Sequence, residues 1–326
     1  MSRVTVLTAV FNGERYIRQA VDSVLGQTLS DIQLVCIDDA STDSTPSILS
    51  DYATCDKRVT VITHNVNTGQ AVARNDGLKV ADGDYVTMVD ADDWLSADAL
   101  ELAVSVLDSD DSIGAVLLDL RYVCDGVEIP YSMRTVKNEW SGEEAFALSL
   151  DWSIHGLYVA RAGLYRKYPF DDTCRLYSDD NTTRLHYLHS KKVGSCCGVY
   201  YYRQHEGSMT GSEGLHRYDL LEANTSMARQ LRDENVSRHS IALFERERWI
   251  NLTGICIYWI EHERKTGTDD LNTLLKDRLR SAYNDIDSSL LPLSLRLKLG
   301  YCPCRNFDWY LKSVAVYRFF RKMIGR

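Results

Sequence analysis

Two groups of acidic residues each follow a short apolar segment of the sequence. Asp38 and Asp39 come directly after one such segment, and Asp90 and Asp92 come after another. Asp90 and Asp92 are separated by one residue, and two carboxylates at that spacing in an extended chain point the same way. Such a pair suits a hard divalent cation together with the phosphate oxygens that share it. The residue types and their spacing therefore predict a site for a metal-bound nucleotide.

Each acidic group also has a structural interpretation. Asp39, Ser41 and Asp43 are residue types that form turns and cap helices. Asp92 or Asp93 is suited to cap the helix predicted to follow. The position of the two acidic groups favours a ligand-binding role over a purely structural one. Both groups follow predicted strands, and an open parallel sheet binds ligands at the carboxyl ends of its strands.

A sheet is needed to bring these residues together, and the first 118 residues have the pattern of one. Short apolar segments alternate with amphipathic ones, as in a parallel sheet whose crossovers are helices. The predicted strands are 4–10, 33–37, 59–63, 85–89 and 115–118. Helices are predicted near 16–25, 45–52, 70–80 and 96–107. A dinucleotide-binding dehydrogenase is disfavoured, because no run of three spaced glycines follows the first strand.

The remainder of the chain is organised differently. After Asp119 the sequence predicts an insertion that completes a pocket, formed by a hairpin at 125–126, helices near 141 and 180–188, and a strand near 193–203. From Leu215 onward, apolar residues recur at helical spacing. We therefore divide the chain into an α/β domain, 1–212, with halves 1–118 and 119–212, and a helical C-terminal region, 213–326.

Composition narrows the class of protein further. The 326 residues are 44% hydrophobic with a formal net charge of −9, which suits a globular chain and disfavours a nucleic-acid-binding protein. A predicted strand begins at once, leaving no room for a signal peptide, and no segment has the length of a transmembrane helix. Nine irregularly spaced cysteines favour reduced thiols. We expect a cytoplasmic protein.

The last 31 residues differ from the rest in charge. They contain eight basic residues and one acidic residue, Asp308, together with aromatic residues such as Trp309 and Phe319. This composition suits a helix lying on an anionic lipid surface. It suits equally a helix that packs on the protein and leaves its Lys and Arg side chains in water, because the basic positions do not gather on one face. Sequence alone leaves both interpretations open.

Four ordered segments together resemble a known family. They are 6–12 followed by Tyr16-Ile17, then 37–45, 67–77 and 90–93. In order and spacing they are similar to the family-2 inverting glycosyltransferases of GT-A fold, densely over about the first 110 residues and loosely to about residue 210. The resemblance implies a Rossmann-like, mostly parallel sheet flanked by helices, here with a C-terminal helical extension.

The resemblance also implies roles on the donor side. Asp39, alone or with Asp38, would accept a hydrogen bond from the uracil edge of a UDP-sugar. Thr8 and Phe11 would line the base and ribose. Arg74 would approach the diphosphate or the donor sugar, a task that suits its planar and permanently charged guanidinium.

A metal site is implied beside these residues. Asp90 and Asp92 would hold the ribose, the metal and the diphosphate, and His205 would complete the shell of Mn²⁺ or Mg²⁺ as a neutral imidazole. The further contacts implied are Ser208 or Thr210 with the diphosphate, and Trp152 and His155 with the donor sugar.

On the acceptor side, the family carries an acidic pair at the start of a helix, with one member as the base. Asp179 and Asp180 lie at the corresponding place, although the usual pattern has Glu before Asp. Adjacent helical residues point about 100° apart, so one of the two reaches the acceptor hydroxyl, and we choose Asp180. The alternative is that both residues cap the helix and complement its dipole.

Together these inferences predict a metal-dependent inverting glycosyltransferase. It would move a sugar from a UDP-sugar to a hydroxyl of a glycan or lipid-linked glycan in cell-surface polysaccharide biosynthesis. Contact with the inner face of the membrane through the basic C-terminal helix is one of the two interpretations given above. The main alternative is a catalytically silent nucleotide-sugar binder in a biosynthetic complex. A nucleotidyltransferase is disfavoured because the first strand lacks a Gly-rich phosphate loop with a following Lys.

Overall fold

The computed structural model describes residues 2–133, 137–174, 176–205, 214–234 and 236–323. The chain forms two units, Met1–Ser212 and Glu213–Arg326. The first unit contains the sheet and the second is built of helices.

One mixed sheet joins the strands of the first unit. These strands are Val4–Val10 (β1), Ile32–Asp38 (β2), Val59–Thr63 (β3), Tyr85–Met88 (β4), Trp94–Leu95 (β5), Ile113–Cys124 (β6), Val127–Pro130 (β7), Glu139–Ser141 (β8), Tyr158–Arg161 (β9) and Lys192–Arg203 (β10). The order is β3-β2-β1-β4-β9-β6-β10-β5, with β7 on β6 and β8 on β10. The pairs among β1, β2, β3 and β4 are parallel, as is β6 with β10, whereas β9 is antiparallel to both neighbours.

Helices cover both faces of this sheet. They are Ile17–Leu25 (α1), Thr45–Cys55 (α2), Gln70–Leu78 (α3), Ala99–Ser109 (α4), Gly142–Leu150 (α5), Ala162–Lys167 (α6) and Ser178–Leu188 (α7). Because successive strand residues point to opposite faces, Val6 joins one buried core and Leu7 the other. The core around Val6 includes Ile17 of α1 and Leu100 of α4, and the core around Leu7 includes Ala73 of α3.

The strand and helix pattern predicted for the first 118 residues is confirmed, with two differences. β6 extends to Cys124, because its second half pairs with β7 across the predicted turn at Asp125-Gly126. The helix expected from residue 96 begins at Ala99, because the short strand β5 pairs with β10 just before it. The interpretation of Asp92 or Asp93 as the cap of this helix is therefore wrong.

The second unit is helical, as predicted. Its helices are Asp219–Asp233 (α8), Arg238–Glu261 (α9), Glu263–Thr266 (α10), Asp269–Asp285 (α11), Leu293–Arg296 (α12) and Phe307–Met323 (α13). Trp249 of α9, Leu279 of α11 and Tyr310 of α13 meet in its buried core. In the part of the chain that the structure describes, every helix is too short or too polar to cross a bilayer.

Candidate active site

The parallel strands β2, β1 and β4 lie side by side, and their carboxyl ends form one edge of the sheet. β1 ends level with β2, because Val10 is paired with Asp38. β4 ends nearby, with Met88 paired to Leu7 of β1. The acidic residues that follow β2 and β4 therefore reach the same edge, which is where sheets of this type bind ligands.

Asp39 holds the segment between β3 and α3 in place. Its Oδ1 accepts hydrogen bonds from the amide and hydroxyl of Thr68, both at 2.9 Å, and lies 2.8 Å from His64 Nδ1. Its Oδ2 accepts from the Gly69 amide at 2.8 Å. Burial alone would raise the pKa of Asp39, but these hydrogen bonds outweigh it and lower that pKa. The carboxylate is thus ionised and mostly engaged within the protein.

Asp38 has an unused acceptor instead. Its side chain is buried, with 1% of its surface exposed, and its Oδ1 accepts from the Ser41 amide at 3.1 Å. Among the described residues, its Oδ2 has no hydrogen-bond partner. A buried carboxylate oxygen without a partner is costly. Of the two aspartates predicted to bind the uracil edge, Asp38 is therefore the one with an acceptor oxygen still available for a hydrogen bond from a ligand.

Thr8 and Phe11, the two residues predicted to line the base and ribose, differ in exposure. Phe11 is 51% exposed and free to cover a ring, whereas Thr8 is 1% exposed within β1. The turn interpretation is confirmed for Asp43, whereas Ser41 instead joins the segment after β2 to the loop after β1. Ser41 Oγ accepts from the Asn12 amide at 2.9 Å, and both carboxylate oxygens of Asp43 accept amide hydrogen bonds.

Arg74 projects from α3 to the acidic group after β4. Its Nη2 lies 2.5 Å from Asp90 Oδ1, and its guanidinium lies 5.4 Å from the centre of the Phe170 ring. Arg74 is 2% exposed, whereas the side chain of Asp90 keeps 32% of its surface open. Burial is the main effect that raises the pKa of Asp90, opposed by Arg74 and reinforced by Asp92 and Asp179.

Asp92 and Asp93 face different partners. Asp92 Oδ2 lies 2.9 Å from His205 Nε2, and its side chain is 36% exposed. Asp93 is buried and accepts from the Tyr200 hydroxyl and the Arg203 amide, both at 2.8 Å. Burial, followed by the charges of the two other aspartates, raises the pKa of Asp93 to about 8. The turn thus exposes one carboxylate to His205 and anchors the other inside.

Arg203 fixes this turn, and sequence reasoning missed it. Its guanidinium lies between the rings of Tyr16 and Trp94, 4.7 and 4.5 Å from their centres. Its Nε donates to the Asp92 carbonyl at 2.9 Å and its Nη2 to Gln19 Oε1 at 2.5 Å. The available signal was an arginine at the end of a strand, two residues before His205.

The acidic pair at the start of α7 belongs to the same group of charges. Asp179 raises the pKa values of both Arg74 and Asp90, which places it within electrostatic reach of that ion pair. Burial raises the pKa of Asp180 to about 7, opposed by Arg184 and reinforced by Asp179. A carboxyl group that titrates near neutral pH is suited to act as a general base.

The remaining predicted ligand contacts are those of Trp152 and His155 with the donor sugar and of Ser208 or Thr210 with the diphosphate. Trp152 is 48% exposed. His155 is buried, with its Nδ1 accepting from the Leu157 amide at 3.3 Å, and burial lowers its pKa to about 4. This environment is that of a neutral packing residue. Ser208 and Thr210 lie outside the described residues.

Asp90, Asp92 and His205 are residue types that can ligate a divalent cation. Carboxylates and an imidazole suit Mn²⁺ or Mg²⁺, and a cation would relieve the crowding of negative charge around Asp93. Within the described ranges, no group of three or more His, Cys, Asp or Glu side chains is placed to hold a metal ion. Mg²⁺ commonly uses one or two carboxylates and completes its shell with substrate phosphates and water. The metal assignment stays a prediction.

A mostly parallel Rossmann-like sheet flanked by helices, with charged groups at the carboxyl ends of β2 and β4, defines an α/β protein of GT-A fold. The chain belongs to glycosyl transferase family 2, because the family model matches residues 5–172. The resemblance inferred from the four sequence segments is thus confirmed.

Curated relatives fall into two groups by coverage. The putative glycosyltransferase EpsH of Bacillus subtilis is 39% identical over 98 residues, which are 30% of this chain and 28% of that protein. TuaG of the same species, a putative teichuronic acid biosynthesis glycosyltransferase, is 42% identical over 30% of this chain and 39% of its own length. Glycosyltransferase GlyG of Streptococcus pneumoniae is 23% identical over 82% of this chain and 92% of its own. The stronger identities thus span well under half of the relatives concerned.

Solved structures extend the likeness along the chain. The S. aureus TarS 1-349 structure in complex with UDP-GlcNAc has a TM-score of 0.78 at 20% identity, over 97% of this chain and 91% of that one. At this identity the likeness shows the fold alone, and it confirms the GT-A arrangement with C-terminal helices.

Proposed function

We propose that this chain is an inverting glycosyltransferase that moves a sugar from a UDP-sugar to a hydroxyl of a glycan or lipid-linked glycan. One observation carries the proposal: Asp179, at the start of α7, acts electrostatically on both Arg74 and Asp90, and α7 contacts the segment beside Arg74, because Asn181 donates to Asp171 at 2.9 Å and the Phe170 ring lies 5.4 Å from the Arg74 guanidinium. Family membership supports the reaction class. The names of TarS with UDP-GlcNAc and of TuaG support a uridine donor and cell-wall polysaccharide as the product.

On the donor side, residues at the ends of β1 and β2 bind the uracil base. Asp38 Oδ2 or Asp39 accepts from the base edge, and the exposed Phe11 ring covers the base. Arg74 stabilises the negative charge of the diphosphate. Asp90, Asp92 and His205 would hold a divalent cation, which would neutralise more of that charge.

On the acceptor side, Asp180 takes the proton of the attacking hydroxyl. The hydroxyl oxygen forms its bond to the anomeric carbon as the bond to the UDP oxygen breaks, and the electron pair of that bond leaves with UDP. One direct displacement inverts the anomeric centre. The raised pKa of Asp180 strengthens it as a base, because a carboxylate of higher pKa accepts a proton more readily.

The test compares two aspartate variants in the presence of a UDP-sugar and an acceptor extract. Asp180→Asn is expected to lower transfer by ~10²- to 10⁴-fold while UDP binding by calorimetry stays within about twofold of wild type. Asp111→Asn is the matched control, because the Asp111 side chain is fully exposed. Full transfer by Asp180→Asn contradicts the base assignment. UDP binding by wild type without transfer or donor hydrolysis favours the silent binder instead.

A further inference from the structure

Helix α13 has two apolar faces, of which only one is covered. Phe307, Tyr310, Leu311 and Val314 are buried in the core of the second unit. The other apolar side chains form what we call the exposed stripe: Trp309, Val316, Phe319, Phe320 and Met323, which are 62, 46, 62, 53 and 68% exposed. A helix that serves only as packing has polar residues at such positions.

The exposed stripe lies on one side of α13, continuously from Val316 to Met323, with Lys312 and Ser313 between Trp309 and Val316. At 100° per residue, its members fall within about 100° of one another, and the stripe runs about 21 Å from Trp309 to Met323. Scattered exposed apolar residues are ordinary on a protein surface, whereas a contiguous row of aromatic and aliphatic side chains marks an interaction surface. The sequence pattern alone left a lipid-bound helix and a packed helix equally open, because the basic residues do not form a matching face.

A second exposed apolar segment adjoins α13. Leu293, Leu297 and Leu299 are 69, 81 and 51% exposed. The chain that follows them packs on α13 at Gly300, where φ is 77° and an added Cβ would lie 2.5 Å from the Tyr317 Cβ. The two segments are therefore held together within the second unit.

Basic residues surround this apolar surface. Between 293 and 323 there are seven basic residues and one acidic residue. Arg318 and Lys322 pair with Glu261 at 2.8 and 2.6 Å. In the described part of the chain, no salt bridge involves the five others, which are Arg296, Lys298, Arg305, Lys312 and Arg321. The Lys312 amine lies 4.7 Å from the centre of the Trp309 ring, so its charge stands beside the apolar stripe.

We propose that the exposed stripe, with the adjoining leucines, docks the protein on an anionic lipid bilayer. The apolar side chains enter the boundary of the acyl chains, and the unpaired basic groups meet the lipid phosphates. Charge complementarity selects this occupant. A second copy of the chain would bring the same basic residues against each other, which costs binding energy.

Binding of the full chain to vesicles tests this proposal. The chain is sedimented with vesicles of phosphatidylcholine alone and with vesicles of equal parts phosphatidylcholine and phosphatidylglycerol. Binding is expected to the second kind only. Phe319→Ser combined with Phe320→Ser is expected to weaken it by at least about tenfold, because two exposed aromatic rings no longer enter the lipid.

A charge variant and a matched control separate the two contributions. Lys312→Gln is expected to weaken binding to the anionic vesicles by about fivefold. Leu274→Ser is the control, because Leu274 is 58% exposed on α11 and lies outside the stripe. It is expected to bind as wild type does.

Three results overturn the proposal. They are absence of binding to anionic vesicles, binding that the paired Phe variant leaves unchanged, and light scattering that shows a dimer which the same variant dissociates. The assay contains no sugar donor, so failure of the enzymatic proposal leaves its outcome untouched. A matching check is that the Phe variant keeps the wild-type UDP affinity.

Discussion

Among single residues, burial and neighbouring charges set the ionisation state of Asp180, the proposed base. Burial raises the pKa of this carboxyl to about 7, and the Arg184 guanidinium pulls it in the opposite direction. A base must be ionised to accept a proton, so transfer is expected to fall about tenfold for each pH unit below that pKa.

Arg184→Gln tests this balance. Loss of the positive charge raises the pKa of Asp180, so the acidic limb of the kcat/KM profile moves to higher pH by about one unit or more. Activity at high pH stays close to wild type, because Asp180 is ionised there in both proteins. Arg166→Gln is the control, since Arg166 is exposed. A loss of activity that is equal at every pH indicates a structural role only.

Sequence reasoning reached the residue types of the site but not their partners. Asp39 and Asp90 were identifiable because they follow strands, and Arg74 was identifiable because it lies in a segment, 67–77, that resembles the family. That Asp39 is engaged by Thr68 and Gly69, and that Asp38 keeps an unused oxygen, depends on how a loop folds back over the strand end. Such contacts involve residues about 30 positions apart, and no local pattern encodes them.

At the scale of elements, the site is held by β10 as well as by the strands before it. The side chain and amide of Arg203 join the end of this strand to Asp92 and Asp93. The sequence predicted the strand but not this connection, because the pairing of β10 with the two-residue strand β5 gives too short a pattern to detect. For the same reason, the start of α4 was placed three residues early.

Arg203→Lys tests whether this connection positions the turn. Lysine keeps the charge but loses the planar group between Tyr16 and Trp94 and the hydrogen bond to the Asp92 carbonyl. We expect the affinity for UDP with Mn²⁺ to fall roughly tenfold by calorimetry. Arg121→Lys is the control, since Arg121 pairs with Asp119 and Glu128 instead. Unchanged UDP affinity in Arg203→Lys contradicts a positioning role.

At the scale of the whole molecule, two units carry two proposed tasks. The first unit holds the candidate active site, and the second carries the exposed stripe of α13. The spacing of apolar residues predicted the helical character of the second unit, and composition predicted its basic end. It could not show which face of α13 is buried, because both faces are apolar and only packing against α9 and α11 distinguishes them.

The proposed function requires that the edge formed by β1, β2 and β4 bind a uridine nucleotide together with a cation. The most direct measurement is the melting temperature of the full chain with UDP, GDP or dTDP, each with and without Mn²⁺. A ligand that binds only the folded state raises that temperature. At a ligand concentration of a hundred times Kd, it raises the free energy of unfolding by about 2.7 kcal/mol. We expect a rise with UDP that Mn²⁺ enlarges and that Asp92→Ala reduces to the metal-free level. Stabilisation by GDP or dTDP but not by UDP, or by no nucleotide at all, would contradict it.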